Sequence, residues 1–173
     1  MHDSRTARAL DTLKSEIITR RATLEDAYFI AKLDDETFGN SYVGHNEFLP
    51  FRTPLIMTIS ESQTFVVICS AIHQHDEVKL GFAAMQYLPE YSYIAGVAVG
   101  PSARRHGCAG LLLDECKVAA RNRARDGMIW LHVAEHNEAA RRLFERNGFV
   151  NKVCEGKLGD GRAIRMIHFP QNS

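Results

Sequence analysis

The stretch Ile94-Ala-Gly-Val-Ala-Val-Gly-Pro-Ser-Ala-Arg-Arg-His-Gly-Cys-Ala-Gly110 constrains this chain more than any other. Its first half reads as a strand that ends at Val99, because Pro101 has no N–H to continue a ladder. A helix is predicted over 102–126, with Ala109, Leu112, Leu113, Cys116 and Ala120 on one face. A strand, a short basic loop and a helix start together present backbone N–H groups to an anion, and Arg104 and Arg105 add forked donors suited to phosphate. Gly107 lets such an anion approach the backbone, and Ala109 keeps the next turn small. No Gly-Lys-Ser/Thr follows and no G-x-G-x-x-G is present, so neither a P-loop nor a dinucleotide fingerprint is written here. Taken alone, the same residues also read as an ordinary helix start with surface arginines.

The rest of the chain is consistent with a mixed sheet carrying helices on its faces. Residues 1–16 read as a short docked helix or a loose arm, and Ile17–Ala22 as a first strand. Thr23 is a predicted N-cap with Asp26 three residues on, heading a helix to about Leu33. Residues 34–62, broken by Gly39, Gly44, Pro50 and Pro54 and rich in aromatics, read as an irregular loop region of the kind that holds a substrate, or as a satellite core. Strands follow at 63–70 and 79–87, joined by a polar turn at 73–77, and at 91–99 and 128–134. A helix over 137–147 ends at Gly148, and a hairpin pairs 149–158 with 162–169 across Gly159-Asp-Gly161. There is no repeat and no linker, so residues 1–173 read as one domain of the α/β (α+β) class.

Two linked segments sharpen this. The first is Val97-Ala-Val99-Gly-Pro101 followed by Arg104-Arg-His-Gly107-Cys-Ala109; the second places Asn137, Ala140, Leu143, Phe144, Gly148 and Phe149 in the pattern Asn-x-x-Ala-x-x-Leu-Phe-x-x-x-Gly-Phe. Together they resemble the GNAT superfamily of acyl-CoA N-acetyltransferases, well over 78–169 and only in outline before that. The resemblance implies a central, mostly antiparallel sheet with splayed middle strands and acetyl-CoA as cosubstrate. It also implies that Arg104, Arg105, His106, Gly107, Cys108, Ala109 and Gly110 cradle the pyrophosphate, and that the Val97, Ala98 and Val99 backbone runs beside the pantetheine arm. Asn137 and Ala140 fall near that arm, and Phe144 near the thioester. An N–H at or beside Val99 is expected to polarise the acetyl carbonyl.

Direct attack on a thioester needs a neutral amine, and at pH 7 only about one lysine in 2,500 is neutral against roughly a tenth of α-amino groups. The branch resembling ribosomal-protein alanine acetyltransferases has a Glu base and a Tyr acid where this chain has His132 and Phe144. Histidine can act as a base near neutral pH, whereas Phe144 has no proton to give. His132 is therefore the candidate base and Tyr93 the candidate acid or relay. Their bland alternatives are a hydrogen-bonded strand histidine and a water chain with no dedicated acid.

Bulk properties narrow the partners. Lys+Arg and Asp+Glu both number 21 of 173 residues, which gives no global pull toward nucleic acid or an anionic membrane. The polar start lacks a signal-peptide core, no apolar run reaches membrane length, and four cysteines without C-x-x-C spacing suggest a reduced, cytoplasmic protein. His73-x-His75 has no third ligand in view, so no metal is expected. The expected acceptor is a primary amine (a peptide N-terminus, a protein lysine or a small amine), and a homodimer stays open. A non-catalytic acyl-CoA-binding module on the same fold is the competing reading.

Overall fold

The computed structural model describes residues 16–39, 63–73, 75–123, 127–158 and 161–170. The expected N-terminal helix or arm and residues 40–62 of the acceptor-side loop lie outside them.

Seven strands form one sheet in the order β1-β2-β3-β4-β5-β7-β6. They are β1 (Glu16–Arg21), β2 (Thr64–His73), β3 (Asp76–Tyr87), β4 (Ser92–Val99), β5 (Ile129–Ala134), β6 (Val150–Leu158) and β7 (Gly161–His168). Every neighbouring pair is antiparallel except β4 and β5. The helices are α1 (Ala27–Phe38), α2 (Cys108–Arg123) and α3 (Glu138–Arg146). This is the expected mixed α/β arrangement with helices on both faces.

Strand alternation divides the side chains between two cores. On one face, Val67, Cys69, Leu80, Met85, Ile94, Leu131, Val133 and Met166 meet Leu112, Leu113 and Cys116 of α2 and Phe144 of α3. On the other, Val66, Ile68, Phe82, Ala84 and Ala98 meet Ile30 and Leu33 of α1, with Phe29 and Phe38 packed alongside.

Three boundaries differ from expectation, each for a local reason. The helix expected to stop near Leu33 continues to Phe38, because Phe38 extends the apolar stripe begun by Ile30 and Leu33 and outweighs the acidic pair Asp34-Asp35. It ends at Gly39, whose φ of +51° few other residues adopt. The helix expected from Ser102 begins only at Cys108. A 3₁₀ turn at Pro101–Ala103 comes first, and then Arg105 and Gly107, at φ of +69° and +83°, break the helical path. The polar turn expected at 73–77 is shorter, since His73 and Asp76 are already paired. On the hairpin, β6 and β7 pair up to Leu158 and Gly161, with 159–160 outside the described residues.

Candidate functional site

The centre of the sheet is a V. On one side β4 pairs with β3 from Ser92 to Val99. On the other it pairs with β5 only at Ser92↔Ile129 and Tyr93↔Trp130, after which the two strands part. From Ile94 to Val99, β5 therefore offers β4 no ladder partner. Backbone N–H and C=O groups are obligatory hydrogen-bonding groups, so such an edge suits an extended ligand that carries amides of its own. A bulge between Ala84 and Met85 shifts the β3–β4 register from Ile94 to Gly96 and re-aims β4 where the V opens.

The wide end of the V meets the basic loop. Gly100 N–H donates to the Leu80 carbonyl at 2.8 Å, which anchors the strand exit. Arg104 Nε donates to the Val99 carbonyl at 3.3 Å, and the His106 ring bonds the Arg104 carbonyl through Nδ1 at 2.9 Å. Arg104, Arg105, His106 and Gly107 are all exposed. A Cβ built on Gly107 would meet no heavy atom within 4 Å, so the space above this backbone is open. Cys108 differs: its side chain is buried in the core below α2, and only its backbone faces the loop. A hydrogen bond with the Cys69 thiol lowers the Cys108 thiol against the opposing effect of burial, while the same contact raises Cys69. Ala109 and Gly110 open α2, and a Cβ on Gly110 would lie 3.8 Å from Asn147 Oδ1. The start of α2 and the end of α3, one from each sequence motif, are thus neighbours.

The narrow end of the V holds the two candidate catalytic side chains. Tyr93 Oη and His132 Nδ1 share a hydrogen bond at 3.0 Å, and their rings are tilted 42° with centroids 5.6 Å apart. Leu131 and Val133 face the α2 core, so His132 points to the α1 face by alternation, and Tyr93, next to the α2-facing Ile94, does the same. Two residues along β5, Trp130 stacks on Tyr91 at 3.9 Å, and the Arg165 guanidinium lies 4.5 Å from the Trp130 ring centroid. Because β5 lies between β4 and β7, Trp130 is flanked from both sides, and Arg165 also stands directly opposite His132 in the ladder.

The remaining expected site residues are more peripheral. Val97 and Val99 pack their side chains toward the α2 core and Ala98 is buried toward α1, so only backbone atoms of the three line the V. Asn137 caps α3 by accepting the Ala140 N–H at 3.1 Å. Ala140 is half-buried against the core, and Phe144 is buried edge-on to Phe149 at 5.7 Å. Sequence reading missed Trp130, Tyr91 and Arg165. The period-2 alternation of Ile129–Ala134 marks Trp130 and His132 as same-face neighbours, and that signal would have found the first of them.

The family model for the acetyltransferase (GNAT) family matches residues 11–149. Among curated proteins, none matches the sequence. Solved structures do match in fold. PaiA N-acetyltransferase from Thermoplasma acidophilum, in complex with coenzyme A, is 15% identical with a TM-score of 0.69, over 90% of this chain and 99% of that one. NAA60 from Arabidopsis thaliana, in complex with acetyl-CoA, is 15% identical with a TM-score of 0.72, over 91% of this chain and 100% of the other. Spermidine N-acetyltransferase from Vibrio cholerae, in complex with CoA and spermine, is 17% identical with a TM-score of 0.67, over 88% and 95%. With the family match spanning most of the chain and the splayed sheet beneath both motifs, this protein belongs to the GNAT acetyltransferase family.

Proposed function

We propose that this protein transfers an acetyl group from acetyl-CoA to a primary amine by direct attack within a ternary complex. The observation that carries the reading is the V itself, with an exposed cationic loop at its wide end and the Tyr93–His132 pair at its narrow end. The residues fit the cosubstrate. The Arg104–Gly110 segment supplies amides and guanidinium groups for the pyrophosphate, and the β4 edge from Ile94 to Val99 supplies partners for the amides of the pantetheine arm. Acetyl-CoA supplies the acyl group as an activated thioester.

In this reading His132 takes the proton as the amine nitrogen bonds to the carbonyl carbon, and the carbon–sulfur bond breaks to release CoA thiolate. A β4 N–H steadies the carbonyl oxygen while this happens. Histidine can accept a proton at one ring nitrogen only while the other carries the hydrogen. In this reading Tyr93 accepts that hydrogen from Nδ1 and so positions the base. The acceptor in this reading is a primary amine, in keeping with the spermine held beside CoA in the Vibrio cholerae structure of the same fold.

Release of free CoA from acetyl-CoA, followed with a thiol reagent across N-terminal peptides, lysine peptides and small amines, tests this. Acceptor-dependent release is expected. A thermal shift with acetyl-CoA but no release with any acceptor would favour the binding-module reading instead. Gly107→Glu is expected to abolish CoA binding, because it sets a carboxylate in the open space over the loop and forces a side chain into φ of +83°. CoA affinity that survives the change would refute the loop assignment.

A further inference from the structure

The V between β4 and β5 differs on its two faces. Toward α2 it is floored by the side chains of Ile94, Val97 and Val99, which belong to the larger core. Toward α1 the β4 residue is Gly96, and what lies over it is the ring of Phe38, the last residue of α1. A Cβ built on Gly96 would stand 3.6 Å from Phe38 Cε2 and 3.9 Å from Cζ. The ring therefore covers a bare stretch of strand backbone, with one methyl group's width between them.

The position of this contact along the strand gives it meaning. Strands rise about 3.3 Å per residue, so Gly96 lies roughly 10 Å from Val99; toward Tyr93 the bulge absorbs one residue, and the partners Ala84 and Gln86 stand two apart, so that separation is roughly 7 Å. If the pantetheine arm enters from the loop and lies along β4, the thioester must come between Gly96 and the Tyr93–His132 pair to meet the base, so the N–H that steadies the carbonyl oxygen lies nearer Gly96 than the expected Val99. The acyl tail then leaves the carbonyl carbon on the side away from the sulfur. The α2 face is closed by packed core, and on the α1 face the tail meets Phe38.

We propose that Phe38, seated over Gly96, is the end wall of the acyl pocket and limits the donor to a short acyl group. This rests on the proposed seating of CoA along β4. It assigns Phe38 a role in donor specificity that neither sequence motif contains. Gly96 belongs to the same device, since any side chain there would fill the remaining gap beneath the ring.

Binding of free CoA, acetyl-CoA, butyryl-CoA and hexanoyl-CoA by isothermal titration calorimetry tests the proposal without knowledge of the acceptor. The wild type is expected to bind butyryl-CoA at least about tenfold more weakly than acetyl-CoA, in line with the discrimination a pocket wall gives per extra methylene. Phe38→Ala is expected to bring the two within about threefold of each other. Gly96→Ala adds a Cβ at ordinary contact distance from the ring, so it is expected to fold and to weaken butyryl-CoA further relative to acetyl-CoA. Should Phe38→Ala fail to fold, Phe38→Leu and Gly96→Ala carry the test. Equal binding of all chain lengths by the wild type, or an unaltered chain-length profile in the folded variants, overturns the gate. Failure of the wild type to bind even free CoA removes the seating on which it rests, a separate result.

Discussion

Tyr93 and His132 are 39 residues apart in sequence and 3.0 Å apart in space, and the proposed mechanism turns on that contact. In that mechanism the imidazole carries its hydrogen on Nδ1, donated to the phenolic oxygen, and keeps Nε2 as the acceptor. General-base catalysis contributes typically 10²–10⁴-fold, so His132→Ala is expected to lower kcat about a hundredfold, with KM for acetyl-CoA little altered. The loss should be largest on the acidic limb of the pH–rate profile, where the amine is most protonated and most needs a base. Tyr93→Phe keeps the ring and removes the oxygen, so it should reduce kcat by about tenfold and reshape that same limb, again with little change in KM. A flat response of the profile to both variants would exclude the pair. Each residue is legible in the sequence by counting along the motifs. Their contact is not, because it depends on a parallel pairing of β4 and β5 that lasts only two residues. Trp130, Tyr91 and Arg165 are not legible for a related reason, since they sit outside both motifs and meet only when β5, β7 and the residue leading into β4 are brought side by side.

Along its splayed length β4 has β3 as its ladder partner and none in β5, so whatever seats it against β3 also sets the width of the V. Gly81 has that position. A Cβ there would come within 2.6 Å of the Ala98 carbonyl oxygen and 3.1 Å of Val99 Cγ2. The first of these is backbone and cannot swing away. Gly81→Ala is therefore expected to push β4 toward β5 near Val99, costing about 1–3 kcal/mol as overpacking does. CoA affinity should fall with it, as read by denaturant unfolding and calorimetry. Unaltered stability would mean that β4 shifts freely and that the V is not held by this contact. At this scale the sequence is informative about element type but not about element ends. Alternation and apolar periodicity reveal all seven strands, while α2 begins six residues later than its composition suggests because Arg105 takes a left-handed conformation that composition does not signal. The width of the V was available only through family resemblance.

Across the whole molecule, the α1 face is tied down by a charged cluster around a buried carboxylate. Asp26, fully buried at the head of α1, accepts two bonds from Arg20 of β1 at 2.7 and 2.9 Å and contacts Lys79 of β3 at 2.6 Å. The Thr23 N–H donates to it at 2.8 Å. Arg20 also pairs with Glu77 through Nε at 2.8 Å, and Glu77 accepts from Ser70 Oγ of β2 at 2.7 Å. The predicted capping role of Asp26 thus holds for its bond to Thr23, but nothing in the spacing of residues 20, 26, 70, 77 and 79 announces that they converge. Burial pushes the Asp26 carboxyl up, and the bonds from Arg20, Lys79 and Thr23 more than offset it, holding the group well below the usual carboxylate range. A depressed folded value means stability that is complete above the unfolded value of about 3.9 and is lost as pH falls below it. Asp26→Asn should cost about 3 kcal/mol at neutral pH, the low end for a broken buried pair because Arg20 and Lys79 are part-exposed. At about 2–4 °C per kcal/mol, Tm should drop by roughly 6–12 °C. The gap between wild type and variant should stay constant above about pH 5 and narrow as the pH is taken through 4 and below, because the unfolded wild-type chain then takes up a proton at this carboxyl that the folded protein does not bind. Since α1 carries Phe38 at its far end, loosening its head should also relax the packing over Gly96. Thermal melts across pH, run beside the acyl-CoA titrations on the same variant, read both effects. A pH-independent gap would show that Asp26 stabilises α1 by shape rather than by charge.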